Sequence, residues 1–263
     1  MLKVIAARLQ QGHRTMTYPD GPPPALSDRF RGRPAIDVKK CPDGCRACVE
    51  SCPTGAITFI DKARIDLGKC LFCTDCVEAC PEQAIAYTND YRLAVSRRED
   101  LTIDQDNQMV KLAGALNAKL MKLFGRSLKL RQVSAGGCNA CEADVNVLNT
   151  VGWDLGRFGI QIVASPRHAD GLLITGPVTQ NMELALRKTY EAVPDPKIVI
   201  AVGACAISGG PYINHEQVHN GTCGKSGAGE VVPVDLYIPG CPPHPLTILD
   251  GLLRLLGRIE GER

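Results

Sequence analysis

The sequence predicts two folded units in series: a small α+β unit built on an internal duplication, then a larger α/β unit with a mostly parallel sheet. Two observations carry this. Cys45, Cys48 and Cys52 recur 28 residues later as Cys73, Cys76 and Cys80, and Pro53, Ala56 and Ile57 recur as Pro81, Ala84 and Ile85. Beyond residue 126, apolar runs of strand length alternate with runs of helical period, the pattern of strands joined by crossover helices.

Taken in order, residues 1–40 form an N-terminal amphipathic and extended segment. Leu2, Ile5 and Leu9 have helical spacing with Lys3 and Arg8 on other faces, and Pro19, Pro22, Pro23 and Pro24 stop the helix. Its default reading is a surface helix packing on its own domain; the sharper one is a helix lying on a membrane or a membrane subunit. This segment carries eight Lys or Arg against three acids, whereas residues 41–106 carry seven against twelve. That acidic stretch holds the whole duplication and reads as one small domain with pseudo-two-fold symmetry. Residues 107–126 read as a linker helix, with Val110, Leu112, Leu116, Leu120, Leu123 and Phe124 near helical period and Gly125 as its C-cap. Residues 127–263 form the second domain. Strands are expected at 128–133, 160–164, 171–174, 198–202 and 234–238, and helices at 142–150, 182–193 and 246–256.

Composition removes several function classes. A net charge of +2 over 263 residues gives no electrostatic footprint for nucleic acid. No apolar run reaches the roughly 18 residues of a membrane span, and the N-terminus lacks the apolar core of a secretory signal. Thirteen cysteines, an odd number mostly two or three residues apart, fit a disulfide framework poorly. In a chain without a secretory signal, such spacing points to metal or iron–sulfur ligation in a reducing compartment.

The run Cys70-x2-Cys73-x2-Cys76-x3-Cys80-Pro81 is the bacterial ferredoxin ligand pattern. Three thiolates on one loop hold one [4Fe–4S] cube, and the fourth cysteine ligates the other cube. Cluster A is therefore expected on Cys41, Cys45, Cys48 and Cys80, and cluster B on Cys70, Cys73, Cys76 and Cys52. C-x2-C pairs also hold zinc, but the duplicated spacing with both Cys-Pro steps favours iron–sulfur. Cys41-x3-Cys45 departs from the pattern by one residue, which Gly44 is placed to absorb in a tighter turn.

A third constellation is dispersed: Cys138, Cys141, Cys205 and Cys241. Each group follows an expected strand, and loops after parallel strands gather at one sheet edge, where α/β proteins build sites. Four thiolates there suit one more [4Fe–4S] cluster. By spacing alone the alternative of small buried core residues stays open.

Residues 131–263 resemble the small subunit of energy-converting, group 4 [NiFe] hydrogenases of the formate hydrogenlyase type, and the homologous subunit of respiratory complex I. The matching stretches are Cys138-Asn139-Ala140-Cys141-Glu142, Ser165 to Asp170, Pro194 to Lys197, and Val232 to Pro243. Residues 1–106 resemble the two-cluster ferredoxin subunit of the same complexes, through Phe30 to Arg33, the eight cysteines, and Tyr91 to Asp100. The chain looks like a fusion of two subunits. The resemblance implies an α+β two-[4Fe–4S] ferredoxin domain followed by an α/β flavodoxin-like domain, and a proximal third cluster on Cys138, Cys141, Cys205 and Cys241. In the complex I subunit the first two of these ligands are adjacent; here two residues separate them, as in hydrogenases.

The implied function is electron relay between a low-potential donor, ferredoxin-like or dehydrogenase-linked, and a [NiFe] large subunit. The implied setting is a complex with membrane subunits at the cytoplasmic face of the cell membrane, with this chain peripheral and non-catalytic. A complex I-like or nickel-free partner is the first alternative, and a stand-alone polyferredoxin the second.

Other signals weigh less. His215-Glu216-Gln217-Val218-His219 spells a zincin motif, but in loop-like sequence rather than on a helix. Gly224-Lys225-Ser226 ends like a phosphate loop, but His219 stands where that motif needs its first glycine. Cys223 reads as an unligated loop thiol. Glu142 and Asp144 read as solvated or capping carboxylates in preference to proton relays, and His168 and His244 as structural or supporting residues.

Overall fold

A computed structural model of the chain describes residues 2–12, 14–42, 44–59, 63–104, 108–219, 227–259 and 261. Helix α1 (Leu2–Gln11) forms as its spacing predicts, but it buries none of its residues, and Leu2 and Leu9 are 83% and 78% exposed. The expectation that it packs on its own domain is corrected. The chain then runs extended across the second half of the molecule, with the Met16 N–H donating to the Gly152 carbonyl at 3.0 Å.

The duplication is visible element by element. Strand β1 (Pro34–Ile36) precedes the first copy, which contains α2 (Ala47–Glu50) and β2 (Ile57–Phe59); β3 (Ala63–Asp66) leads into the second, with α3 (Asp75–Glu78) and β4 (Ile85–Tyr87). Both helices and both strands repeat at the 28-residue offset of the cysteines. β1 pairs antiparallel with β4; β2 pairs antiparallel with β3, which pairs with β5 (Thr102–Asp104).

Among the described residues between the two parts, only α4 (Ala118–Phe124) is helical, a correction to the helix expected over 107–126. The apolar spacing upstream serves a different purpose. Val110 and Ala113 are buried, the Ala113 N–H donates to the Ala94 carbonyl at 2.8 Å, and the Leu116 N–H donates to the Leu255 carbonyl at 2.9 Å. Those donors are spent on neighbouring segments, so the helical ladder never starts there. Asn117 caps α4, its side chain accepting from the Leu120 N–H at 3.1 Å.

The second part alternates as expected: β6 (Leu128–Ser134), α5 (Ala140–Val147), β7 (Ile160–Ile162), β8 (Gly171–Thr175), α6 (Gln180–Ala192), β9 (Ile198–Val202), α7 (Ala204–Ser208), α8 (Ala228–Val231), β10 (Leu236–Ile238) and α9 (Pro245–Leu255). All strand pairings are parallel, in the order β7-β6-β8-β9-β10. Numbered within this part the order is 2-1-3-4-5, the flavodoxin-like winding. β8 and β9 are buried at every position, as central strands covered on both faces must be.

Alternate strand residues feed two cores. Leu173, Ile198, Ile200 and Val202 pack with α5 and α9. Leu172, Ile174, Val199 and Ala201 pack with α6, α7 and α8, and that core continues into the duplicated part through Ile65, Leu67, Phe72 and Leu101. The parts are also stitched by backbone: Val95 and Tyr237 exchange N–H···O bonds of 3.0 and 2.9 Å, and the Ser208 hydroxyl donates to the Gly68 carbonyl at 2.8 Å.

Candidate metal centres

Two of the thiol sets each line a space of their own. Cys41, Cys45, Cys48 and Cys80 line one cavity, walled by Ile36, Ala47, Ala63, Ala84 and Ile85. Cys52, Cys70, Cys73 and Cys76 line a second. Cys52 lines the cavity of the second copy's thiols and Cys80 that of the first copy's. Gly44 has φ +76°, and its counterpart Phe72, in the copy without the extra residue, has φ +54°, so the left-handed turn is common to both copies.

The hydrogen bonds to sulfur repeat as well. The Ala56 N–H donates to Cys52 Sγ at 3.2 Å, and its counterpart Ala84 donates to Cys80 Sγ at 3.2 Å. The Phe72 N–H donates to Cys70 Sγ at 3.4 Å. Cys70 is presented by a turn on Asp66, whose carbonyl accepts from the Cys70 N–H at 3.0 Å; Arg98 clamps the Asp66 carboxylate with bonds of 2.8 and 2.7 Å. Burial pushes the Cys70 thiol up to about 12 and Cys76 up to about 11. Such thiols stay protonated until a metal takes the proton's place.

The third set comes together at the carboxyl edge of the parallel sheet. Cys138 and Cys141 follow β6, Cys205 starts α7 after β9, and Cys241 follows β10. The loops are tied to one another: the Gly203 N–H donates to the Ile238 carbonyl and the Ala204 N–H to the Gly240 carbonyl, both at 2.8 Å. Two glycines make room for sulfur. A Cβ on Gly203, where φ is +90°, would lie 2.5 Å from Cys141 Sγ, and one on Gly210 would lie 2.7 Å from Cys205 Sγ. Burial, then the neighbouring Cys241, Cys138 and Glu142, pushes the Cys205 thiol up to about 12. Cys141 and Cys205 are buried, while Cys138 and Cys241 open to the surface.

The edge set also faces the second cavity. Cys241 and Cys73 line one cleft with Arg31, Phe72, Asp144 and His244. The surrounding protein, Cys138 and then Cys73 all raise the Cys241 thiol, so Cys73 lies within electrostatic reach. The first two sets each surround a cavity, and in the third Cys138, Cys205 and Cys241 lie within electrostatic reach of Cys141. Among the described residues no three His, Cys, Asp or Glu side chains are drawn to the spacing a single ion needs.

Several neighbours of the thiols depart from expectation. Glu142 is neither solvated nor a cap: it is 7% exposed and accepts from the Thr175 hydroxyl at 2.7 Å. Its place on α5, one residue after Cys141, turns it under the sheet edge, and Asn139 holds the cap position. Asp144 is half-buried on the cleft, which raises its carboxyl. His244 caps α9, its Nδ1 accepting from the Leu246 N–H at 3.1 Å, with its ring against Phe30 and Trp153. His168 is exposed in a short 3-10 turn. His215 and His219 share no helix; His219 sits between Glu230 at 3.1 Å and Glu183 at 3.2 Å. Cys223 and the Gly224-Lys225-Ser226 string lie outside the described residues. The sulfur donors Ala56 and Ala84 and the hydroxyl of Tyr87 have no motif of their own, although the Phe59-to-Tyr87 difference between the copies is visible in the sequence.

Two stretches of the chain match known families. Residues 40–84 match the 4Fe-4S dicluster domain, and residues 138–255 match the family described as NADH ubiquinone oxidoreductase, 20 Kd subunit. The fold and its thiol cages therefore define an iron–sulfur protein of the electron-transfer class, and the dicluster match implies two [4Fe–4S] clusters in its first part. The chain belongs to the NADH ubiquinone oxidoreductase 20 Kd subunit family. It is 43% identical over 146 residues to formate hydrogenlyase subunit 7 of Escherichia coli, covering 56% of this chain and 55% of that protein. It is 42% identical over 149 residues to the probable membrane-bound hydrogenase subunit mbhJ of Pyrococcus furiosus, covering 55% of this chain and 86% of that protein. It is 43% identical over 127 residues to an NADH-quinone oxidoreductase subunit of Citrifermentans bemidjiense, covering 48% of this chain and 71% of that one. A chain of the membrane-bound sulfane sulfur reductase, an archaeal respiratory membrane complex, aligns at 36% identity and a TM-score of 0.45, covering 56% of this chain and 78% of that one.

Proposed function

We propose that the chain holds three [4Fe–4S] clusters and relays electrons between a low-potential donor, met by its duplicated part, and the [NiFe] large subunit of a hydrogenase complex, met at its sheet edge. The observation that carries this reading is the cleft that Cys73 of the second set shares with Cys241 of the edge set, which reaches the surface through Cys138 and Cys241. Cys48 of the first set acts electrostatically on Cys76 of the second. A relay needs such neighbouring sets, and a surface exit is where a partner docks.

Each bound cluster supplies one-electron redox chemistry. The chain's own residues set how readily: burial around Cys70, Cys76 and Cys205 disfavours added negative charge, and the N–H donors of Phe72, Ala56 and Ala84 offset it. The hydrogenase-type partner is favoured over a complex I-like one by the two residues between Cys138 and Cys141. We assign residues 41–106 to the dicluster domain and 127–263 to the domain of the edge set, joined through 107–126. No helix among the described residues is long and apolar enough to cross a membrane. We place the chain peripherally on membrane subunits at the cytoplasmic face.

Anaerobic purification tests this. About twelve iron and twelve sulfide per chain, with a large subunit co-eluting, is the expected result for three cubes. Eight iron removes the edge cluster, and zinc in place of iron removes the whole reading.

A further inference from the structure

The two halves of the duplication differ at several positions beside sulfur: Asp75, hydrogen-bonded to Cys73, stands where the first copy has Ala47, Thr54, near Cys52, stands where the second has Glu82, and Tyr87 stands where the first has Phe59. Tyr87 ends β4 and lines the cavity of Cys52, Cys70, Cys73 and Cys76, with its hydroxyl 3.8 Å from Cys70 Sγ. Its counterpart 28 residues earlier is Phe59, at the end of β2. The cavity of Cys41, Cys45, Cys48 and Cys80 has no hydroxyl among its described lining side chains. The second cavity's other hydroxyl, on Thr54, is committed: it donates to the Lys69 carbonyl at 2.8 Å, although Cys52 Sγ stands 3.8 Å away. The Tyr87 ring is held by packing against Phe72, centroids 6.0 Å apart. A sulfur bonded to iron has no proton, so in this contact the phenol is the donor.

We propose that the Tyr87 hydroxyl raises the reduction potential of the cluster on Cys52, Cys70, Cys73 and Cys76, and that Phe59 in its place leaves the other ferredoxin-type cluster without this lift. The inference rests on the ligand sets proposed above. A donor to ligand sulfur stabilises the reduced cluster more than the oxidised one, because reduction adds negative charge that the O–H dipole meets. The lifted site is the one beside the sheet edge, so an electron in the duplicated part is biased toward the side that faces the partner. Duplication produced two similar cages, and Tyr87 supplies the phenol that only the second has among the described lining residues.

Redox titration of the full, cluster-loaded chain, followed by electron paramagnetic resonance, tests this with graded donors at one position. Tyr87→Phe keeps the ring and removes the O–H. It is expected to lower the potential of that one cluster by about 59 mV, a tenfold change in a one-electron equilibrium, and to leave the other two unmoved. 3-Fluorotyrosine at position 87, a stronger donor of nearly the same size, is expected to raise it. A packing role does not follow donor strength, so the fluorotyrosine result decides even if Tyr87→Phe sheds iron. Potentials unmoved by fluorination, or shifted equally in both ferredoxin-type clusters, overturn the inference. Iron and sulfide short of twelve in the unaltered chain overturn the ligand sets instead, which keeps the two failures apart.

Discussion

At the scale of single residues, the exchange of one cysteine between cages is the sharpest feature. Cys52 is four residues from Cys48 in sequence, yet it lines the cavity of Cys70, Cys73 and Cys76. Cys52→Ser is therefore expected to perturb the cluster of the second cage first. Spectra in which the Cys41, Cys45, Cys48 and Cys80 cluster is lost while the other is intact would contradict that. This swap is legible from the ferredoxin run alone, because the spacing of three thiols on one loop leaves the fourth out of reach. The burial of Glu142 is not legible: nothing in the sequence signals that Thr175, 33 residues away, arrives to donate to it in the interior.

At the scale of elements, α9 carries the most deeply buried ion pair. Asp250 is 0% and Arg254 2% exposed; Arg254 Nε donates to Asp250 at 2.8 Å, and the Tyr18 hydroxyl donates to the other oxygen at 2.9 Å. Burial raises the Asp250 carboxyl, and Arg254 and Tyr18 work against that rise. Tyr18 thereby fastens the extended N-terminal segment to the last helix. Arg254→Met strands the carboxylate and is expected to destabilise the chain by about 3–5 kcal/mol, whereas adding Asp250→Leu should recover part of the loss. Thermal unfolding of the two variants checks this; a single variant within about 1 kcal/mol of the parent would show that the network is not holding the helix. The α/β alternation is legible because buried parallel strands and their helices differ in length and period. Residues 108–117 are not, because their apolar spacing fills grooves on α9 and the duplicated part, and periodicity alone does not distinguish that from a helix.

At the scale of the whole molecule, the two parts share a core, a strand bridge and a cleft in which Cys73 of the second set and Cys241 of the edge set meet. The central claim is that the edge set is the exit of the relay. Cys241→Ala in the assembled complex addresses it most directly, with Cys223→Ala as control. The expected result is loss or degradation of one cluster, the other two nearly intact, and a steep fall in donor-linked turnover. Exchange of H2 with deuterated water, which needs no net electron flow through this chain, should persist, and Cys223→Ala should alter neither. Three intact clusters with full donor-linked turnover in Cys241→Ala, or a cluster lost in Cys223→Ala, would contradict the claim.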